Sequence, residues 1–232
     1  MKSSGIEWLG EIPEHWEVLH LRRLVKSVKT GGTPSGAEEH YYEESGYNWH
    51  TPGDFSDDIY LGNSERTLSE LGREEVRLFP PMTVMMVGIG ATIGKVGLSQ
   101  RESSCNQQIN GIVCNDKLNA IFATYYLKTV RDLILKCGKY TTMPIINQEE
   151  TKSLIITAPP IKEQQAITAF LDGETSRIDT LIEKINLSVE KLKEFRSAII
   201  TAAVTGQIDV ATWGKRGDTD RRLDTIEEEM GA

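Results

Sequence analysis

The chain has 232 residues with 26 Lys and Arg against 34 Asp and Glu, a net charge of −8. Residues 1–160 carry 16 basic against 20 acidic side chains and residues 161–232 carry 10 against 14, so neither part has the basic footprint usual for nucleic-acid binding, although a local basic surface stays open. No apolar run reaches the 18 or so residues of a membrane span, and the N-terminal Met-Lys-Ser-Ser-Gly lacks the apolar core of a secretory signal. Three cysteines, Cys105, Cys114 and Cys137, without Cys-x-x-Cys spacing point to a reduced, cytoplasmic protein.

In chain order, residues 5–16 form an arm with Trp8 and Trp16 as anchors onto the domain. Apolar residues at 21, 24, 25 and 28 predict one or two helical turns. Thr30-Gly-Gly-Thr-Pro-Ser-Gly36 is a turn-rich loop that either approaches a phosphate or base edge or is an ordinary connection. Tyr41, Tyr42, Tyr47 and Trp49 follow, suited to nucleic-acid contact or to a satellite core under a loop. Residues 67–73 predict a helical turn; 76–79, 83–87 and 95–99 read as strands.

Gly88-Ile-Gly-Ala-Thr-Ile-Gly-Lys95 resembles a phosphate loop only superficially. Ile89 stands where that pattern needs Gly, Val96 where it needs Ser or Thr, and a strand follows rather than a helix, so a glycine-rich turn is expected. Asn106-Gln-Gln108 precedes an apolar strand, 109–114; amides there read adenine edges or satisfy buried backbone. A helix is predicted over 119–135 and a last strand over 154–157.

The longest element is a helix over 159–205, opened by Pro159-Pro160 and stopped by Gly206, about 66 Å at 1.5 Å per residue. Leu171, Ile178, Ile185, Leu192 and Ile199 recur every seven residues; Leu181, Ile182 and Phe195 widen the stripe. Such a stripe needs a partner helix. Either the helix crosses the core of one globular domain or it forms an intermolecular coiled coil, and the lack of a second matching stripe favours the latter. Residues 206–232 read as a short extended piece and a polar tail.

Catalytic and metal residues are not expected. His15, His20, His40 and His50 lack ligand spacing, and no Gly-x-Ser-x-Gly elbow occurs. The fold class is mixed α/β (α+β) followed by the long helix, with no internal repeats.

Taken together, Gly10-Glu-Ile-Pro-Glu-His-Trp16, Gly31-Gly-Thr-Pro-Ser35, Trp49-His-Thr-Pro-Gly-Asp54, Gly90-Ala-Thr-Ile-Gly-Lys-Val-Gly97, Asn106-Gln-Gln108, Pro159-Pro-Ile-Lys-Glu-Gln-Gln-Ala-Ile167 and Ala203-Val-Thr-Gly-Gln-Ile-Asp-Val210 resemble the specificity (S) subunits of type I restriction-modification systems. The usual S subunit has two target-recognition domains and two helices; this sequence resembles a half-length member. The resemblance implies a non-catalytic reader of one half of a bipartite site in double-stranded DNA. It implies a recognition domain over 1–158, a spacer helix that docks methyltransferase subunits, and pairing with a second copy or another S chain. S-adenosylmethionine and ATP with Mg would be bound by the methyltransferase and the restriction (translocase/nuclease) subunits, and none by this chain. Candidate DNA contacts are Thr30, Thr33, Ser35, Trp49, Thr51, Lys95, Gln107, Lys139, Tyr140, Thr141 and Thr142, each with an ordinary structural use as its alternative. The rival reading is a coiled-coil adaptor that competes for methyltransferase docking without reading DNA.

Overall fold

The computed structural model describes residues 1–35, 39–131 and 145–208. It divides into two compact units, Met1–Ala169 and Phe170–Ala232.

The first unit is built on a four-stranded antiparallel sheet. Strands β4 (Val25–Thr30), β7 (Thr83–Val87), β8 (Val96–Ser99) and β10 (Ile109–Cys114) lie in the order β4-β10-β7-β8. Successive side chains of a strand face opposite ways. Val84 and Met86 of β7 therefore join one core with Val28, Ile112, Val96, Leu98, Phe122 and Leu127, while Met85 and Val87 join another with Phe55, Phe79, Cys105 and Ile109. A sheet covered on both faces explains why β7 has no polar face to alternate with. Helix α2 (Ala120–Thr129) lies on the first face, capped by Asn119, whose side chain accepts from Ile121 N and Phe122 N.

Smaller sheets surround this one. Strands β1 (Lys2–Ser3) and β2 (Glu11–Ile12) form the arm's hairpin. β3 (Glu17–His20) pairs with β11 (Ile155–Ala158). β5 (Tyr42–His50) pairs antiparallel with β6 (Thr67–Leu68) and parallel with β9 (Ser104–Cys105). The short helices α1 (Glu70–Glu75) and α3 (Gln148–Ser153) complete the unit.

Several sequence expectations need correction. The segment 21–28 is one 3-10 turn, Leu21–Arg23, and then strand β4: its apolar residues are buried by sheet pairing with β10, which outweighs their helical spacing. Residues 76–79 do not form a strand; only Phe79 makes a bridge, to Ser103. The tyrosine-rich segment is strand β5, which the sequence did not announce because its polar and aromatic residues do not alternate strictly. Trp8 stays 42% exposed, near Tyr126 at 6.3 Å between rings, whereas Trp16 does anchor the arm.

The long helix α4 runs from Ile161 to Val204. Its first turns belong to the first unit, so that unit continues past Ala158. Gln164 is fully buried there. Its oxygen accepts from Asn119 N at 2.8 Å, and its nitrogen donates to Lys117 O at 2.9 Å and Pro159 O at 2.8 Å. In the second unit, α4 ends in a Schellman motif: Gly206 takes φ +73°, Gly206 N bonds to Ala203 O and Gln207 N to Ala202 O. A Cβ is disfavoured in that left-handed conformation, which is why glycine stops the helix.

Candidate nucleic-acid interface

The sheet's antiparallel register brings the polar loops to one end. Thr30 pairs with Asn110, Ile109 with Val87, and Met86 with Val96. Residues 31–35, 88–95 and 106–108 therefore leave the sheet side by side, although up to 77 positions separate them in sequence. His50 pairs with Cys105, which adds the turn after β5 to the group.

The loops hold one another through backbone. Gly31 N donates to Ile109 O at 3.0 Å and Gly32 N to Cys105 O at 2.8 Å. A Cβ on Gly31 would stand 2.1 Å from Cys105 O, so only glycine permits this approach. Asn106 N donates to His50 O at 3.0 Å, and Gly88 N to Gln108 O at 2.7 Å.

This geometry sorts the residues expected to touch DNA. Thr33 and Gln107 are exposed and adjacent: the Thr33 hydroxyl donates to Gln107 Oε1 at 2.6 Å. Ser35 is also exposed, but its hydroxyl donates to Glu75 Oε2 at 3.2 Å, and that carboxylate would repel a phosphate. Lys95 is half-buried, with Nζ donating to Phe55 O at 2.8 Å; an ammonium has three N–H groups, so donors remain for an anion. Thr51 is half-buried and closes the capping box of the turn Pro52–Asp54, donating to Asp54 Oδ2 at 2.9 Å.

Two of the expected contact residues are engaged inside the fold. Trp49 is only 4% exposed and donates its indole N–H to Gly32 O at 2.8 Å, so it braces the glycine loop from behind. Thr30 donates to Asn110 Oδ1 at 2.9 Å, and Asn110 in turn donates to Ile146 O and Thr151 Oγ1; this network serves the fold. Lys139, Tyr140, Thr141 and Thr142 lie outside the described residues.

One cation was not legible in the sequence. Lys128, on the last turn of α2, donates to Asp57 O at 2.8 Å, beside the Phe55 carbonyl that Lys95 holds. Two lysines from distant segments thus clasp one turn. Burial lowers the Lys128 pKa, with Asp57 and Asp58 opposing it. Its only sequence signal is a basic residue near a helix C-terminus, which many helices have.

A cleft of about 970 Å³ lies along β5 and is lined by Glu43, Glu44, Glu65 and Glu102 against Arg66 and Arg101. That excess of carboxylates suits no phosphate backbone. Arg66 is stacked over Tyr42 at 3.8 Å and Arg73 over Tyr47 at 4.4 Å, so these arginines hold the aromatic cluster together. Among the described residues no group of three His, Cys, Asp or Glu could hold a metal ion, and no helix is long and apolar enough to cross a membrane. His50 is buried, and burial lowers its pKa, with Asp54 opposing.

Solved structures share this architecture. The HsdS subunit from Thermoanaerobacter tengcongensis superposes with a TM-score of 0.63 at 18% identity, covering 86% of this chain and 47% of that one. A chain from a structure describing complex assembly and conformational transition of the type I R-M system gives a TM-score of 0.67 at 18% identity, covering 84% and 47%. The fold is that of the HsdS class.

Residues 13–191 match the model of the type I restriction modification DNA specificity domain, and the chain belongs to that family. A candidate type I restriction enzyme specificity subunit, MjaX of Methanocaldococcus jannaschii, is 26% identical over 91% of this chain and 48% of its own length. The HindI specificity subunit of Haemophilus influenzae is 27% identical over 85% and 42%. The chain spans about half the length of the curated relatives it matches.

Proposed function

We propose that this chain is a non-catalytic, cytoplasmic specificity subunit that reads one half of a bipartite DNA target with the loops at the end of the β4-β10-β7-β8 sheet. Its long helix pairs with a second copy and docks type I methyltransferase subunits, which bring S-adenosylmethionine; a restriction subunit brings ATP and Mg. The observation that carries the pairing is the uncovered apolar row on α4. Ile178 is 52% exposed, Ile185 61% and Leu192 65%, with Leu181 and Ile182 also exposed beside them, while Leu171, Phe195 and Ile199 are half-buried. An isologous two-fold pairing buries such a self-complementary row.

The test is to express the chain with a type I methyltransferase subunit and map modified adenines by sequencing. A palindromic bipartite motif is the expected result; an asymmetric motif would replace the second copy by a different S chain. An assembled complex without any motif would refute DNA reading and leave the adaptor. Separately, the double change Leu181→Asp and Ile185→Asp should give a monomer by light scattering. A persistent dimer would refute the seam.

A further inference from the structure

Three consecutive amides, Asn106, Gln107 and Gln108, stand at the recognition end, and the structure assigns them different tasks. Asn106 Oδ1 accepts from Gln108 N at 3.0 Å, and Asn106 Nδ2 donates to Gln108 Oε1 at 3.0 Å. Gln108 Nε2 reaches Ile89 O at 3.5 Å. Both amides are thus turned inward, tying the 106–108 turn to itself and to the glycine-rich loop. Gln107 alone of the three is exposed. Its Oε1 accepts from Thr33, and its Nε2 has no partner among the described residues.

We infer, resting on the DNA-reading function proposed above, that Gln107 reads an adenine through the major groove and that Thr33 is its positioning residue. A side-chain amide presents one donor beside one acceptor, the complement of adenine N7 and N6. The amide oxygen has two lone pairs, so the Thr33 bond leaves one for the N6 amino group while the free Nε2 donates to N7. Holding a long side chain in one rotamer before binding removes an ordering cost, and here the hydroxyl does so from a loop that is itself locked by Gly31 against Cys105. The carboxylate beside Ser35 makes the other rim hydroxyl a weaker candidate.

The test uses the chain assembled with methyltransferase subunits and a set of duplexes in which each position of the mapped motif is changed in turn. Gln107→Ala should reduce discrimination roughly tenfold to a hundredfold at a single position, and that position should be adenine. Gln107→Glu should move the preference there to cytosine, whose N4 donates to a carboxylate. Thr33→Val should lower the ratio between right and wrong base at the same position without lowering non-specific DNA affinity, and Thr33→Ser should restore it. A wild-type complex that discriminates while the Gln107 variants change no position would overturn the inference and leave DNA reading intact. Loss at a position other than adenine would overturn the base assignment. A wild-type complex that discriminates nowhere would overturn both.

Discussion

Trp16 donates its indole N–H to Glu163 Oε2 at 2.9 Å, and His15 Nε2 stands 2.7 Å from Oε1 of the same carboxylate. Two sequence motifs 147 positions apart therefore meet at one side chain: the His-Trp pair closing the arm grips the glutamate in the first turn of α4. With Gln164 on the buried side of the same turn, the first turn of α4 is fixed within the first unit.

That carboxylate makes the link acid-sensitive. The Trp16 hydrogen bond first, and His15 next, hold the Glu163 pKa below the usual glutamate value. A lowered folded pKa means a contribution present above the unfolded value, about 4.3, and lost as pH falls through the folded one. Between pH 5 and 3, wild-type stability should fall more steeply than that of Glu163→Gln in denaturant titrations. Parallel curves would show that the link adds nothing.

Gln164→Leu should be costly although leucine fills a similar volume. It leaves Asn119 N, Lys117 O and Pro159 O without their partner, a loss of about 3 kcal/mol by chemical denaturation. A loss under about 1 kcal/mol would mean that water replaces the amide.

Two glycine-to-alanine changes should act in opposite directions. At Gly31 the new methyl meets backbone, Cys105 O at 2.1 Å and Asn106 O at 2.6 Å, so the loop must move; a cost of about 1–3 kcal/mol and loss of DNA discrimination are expected. At Gly173, inside α4 with nothing within 4 Å, alanine should stabilise by about 1 kcal/mol. Thermal melting of both variants decides this, and equal shifts would contradict the packing described for the 31–35 loop.

Burial pushes the thiols of Cys105 and Cys114 up to about 12. In a variant carrying Cys114→Ser and Cys137→Ser, the fully buried Cys105 should not react with a disulfide reagent at pH 8 until the protein unfolds. Rapid labelling of the native protein would show that the core around Cys105 opens.

The sequence by itself determined the elements whose signal is local. Prolines, a seven-residue apolar repeat and Gly206 fix α4, because helix periodicity and caps act within a few residues. Thr83–Val87 and Ile109–Cys114 were legible as short apolar runs between turns, and the ordered motifs pointed to the family. Only the tertiary structure decided what those motifs do. Trp49 looked like a contact residue and became a brace, since its indole finds a carbonyl in a loop 17 residues away. Gln107 was already singled out in the sequence, but the physical reason for choosing it over Asn106 and Gln108 came only with the turn's hydrogen bonds, which occupy its two neighbours. Lys128 came to the turn that Lys95 also holds only through packing of α2 on the sheet. The physical reason is common to all three: side-chain partnership depends on which strand ends share an edge, and long-range pairing sets that.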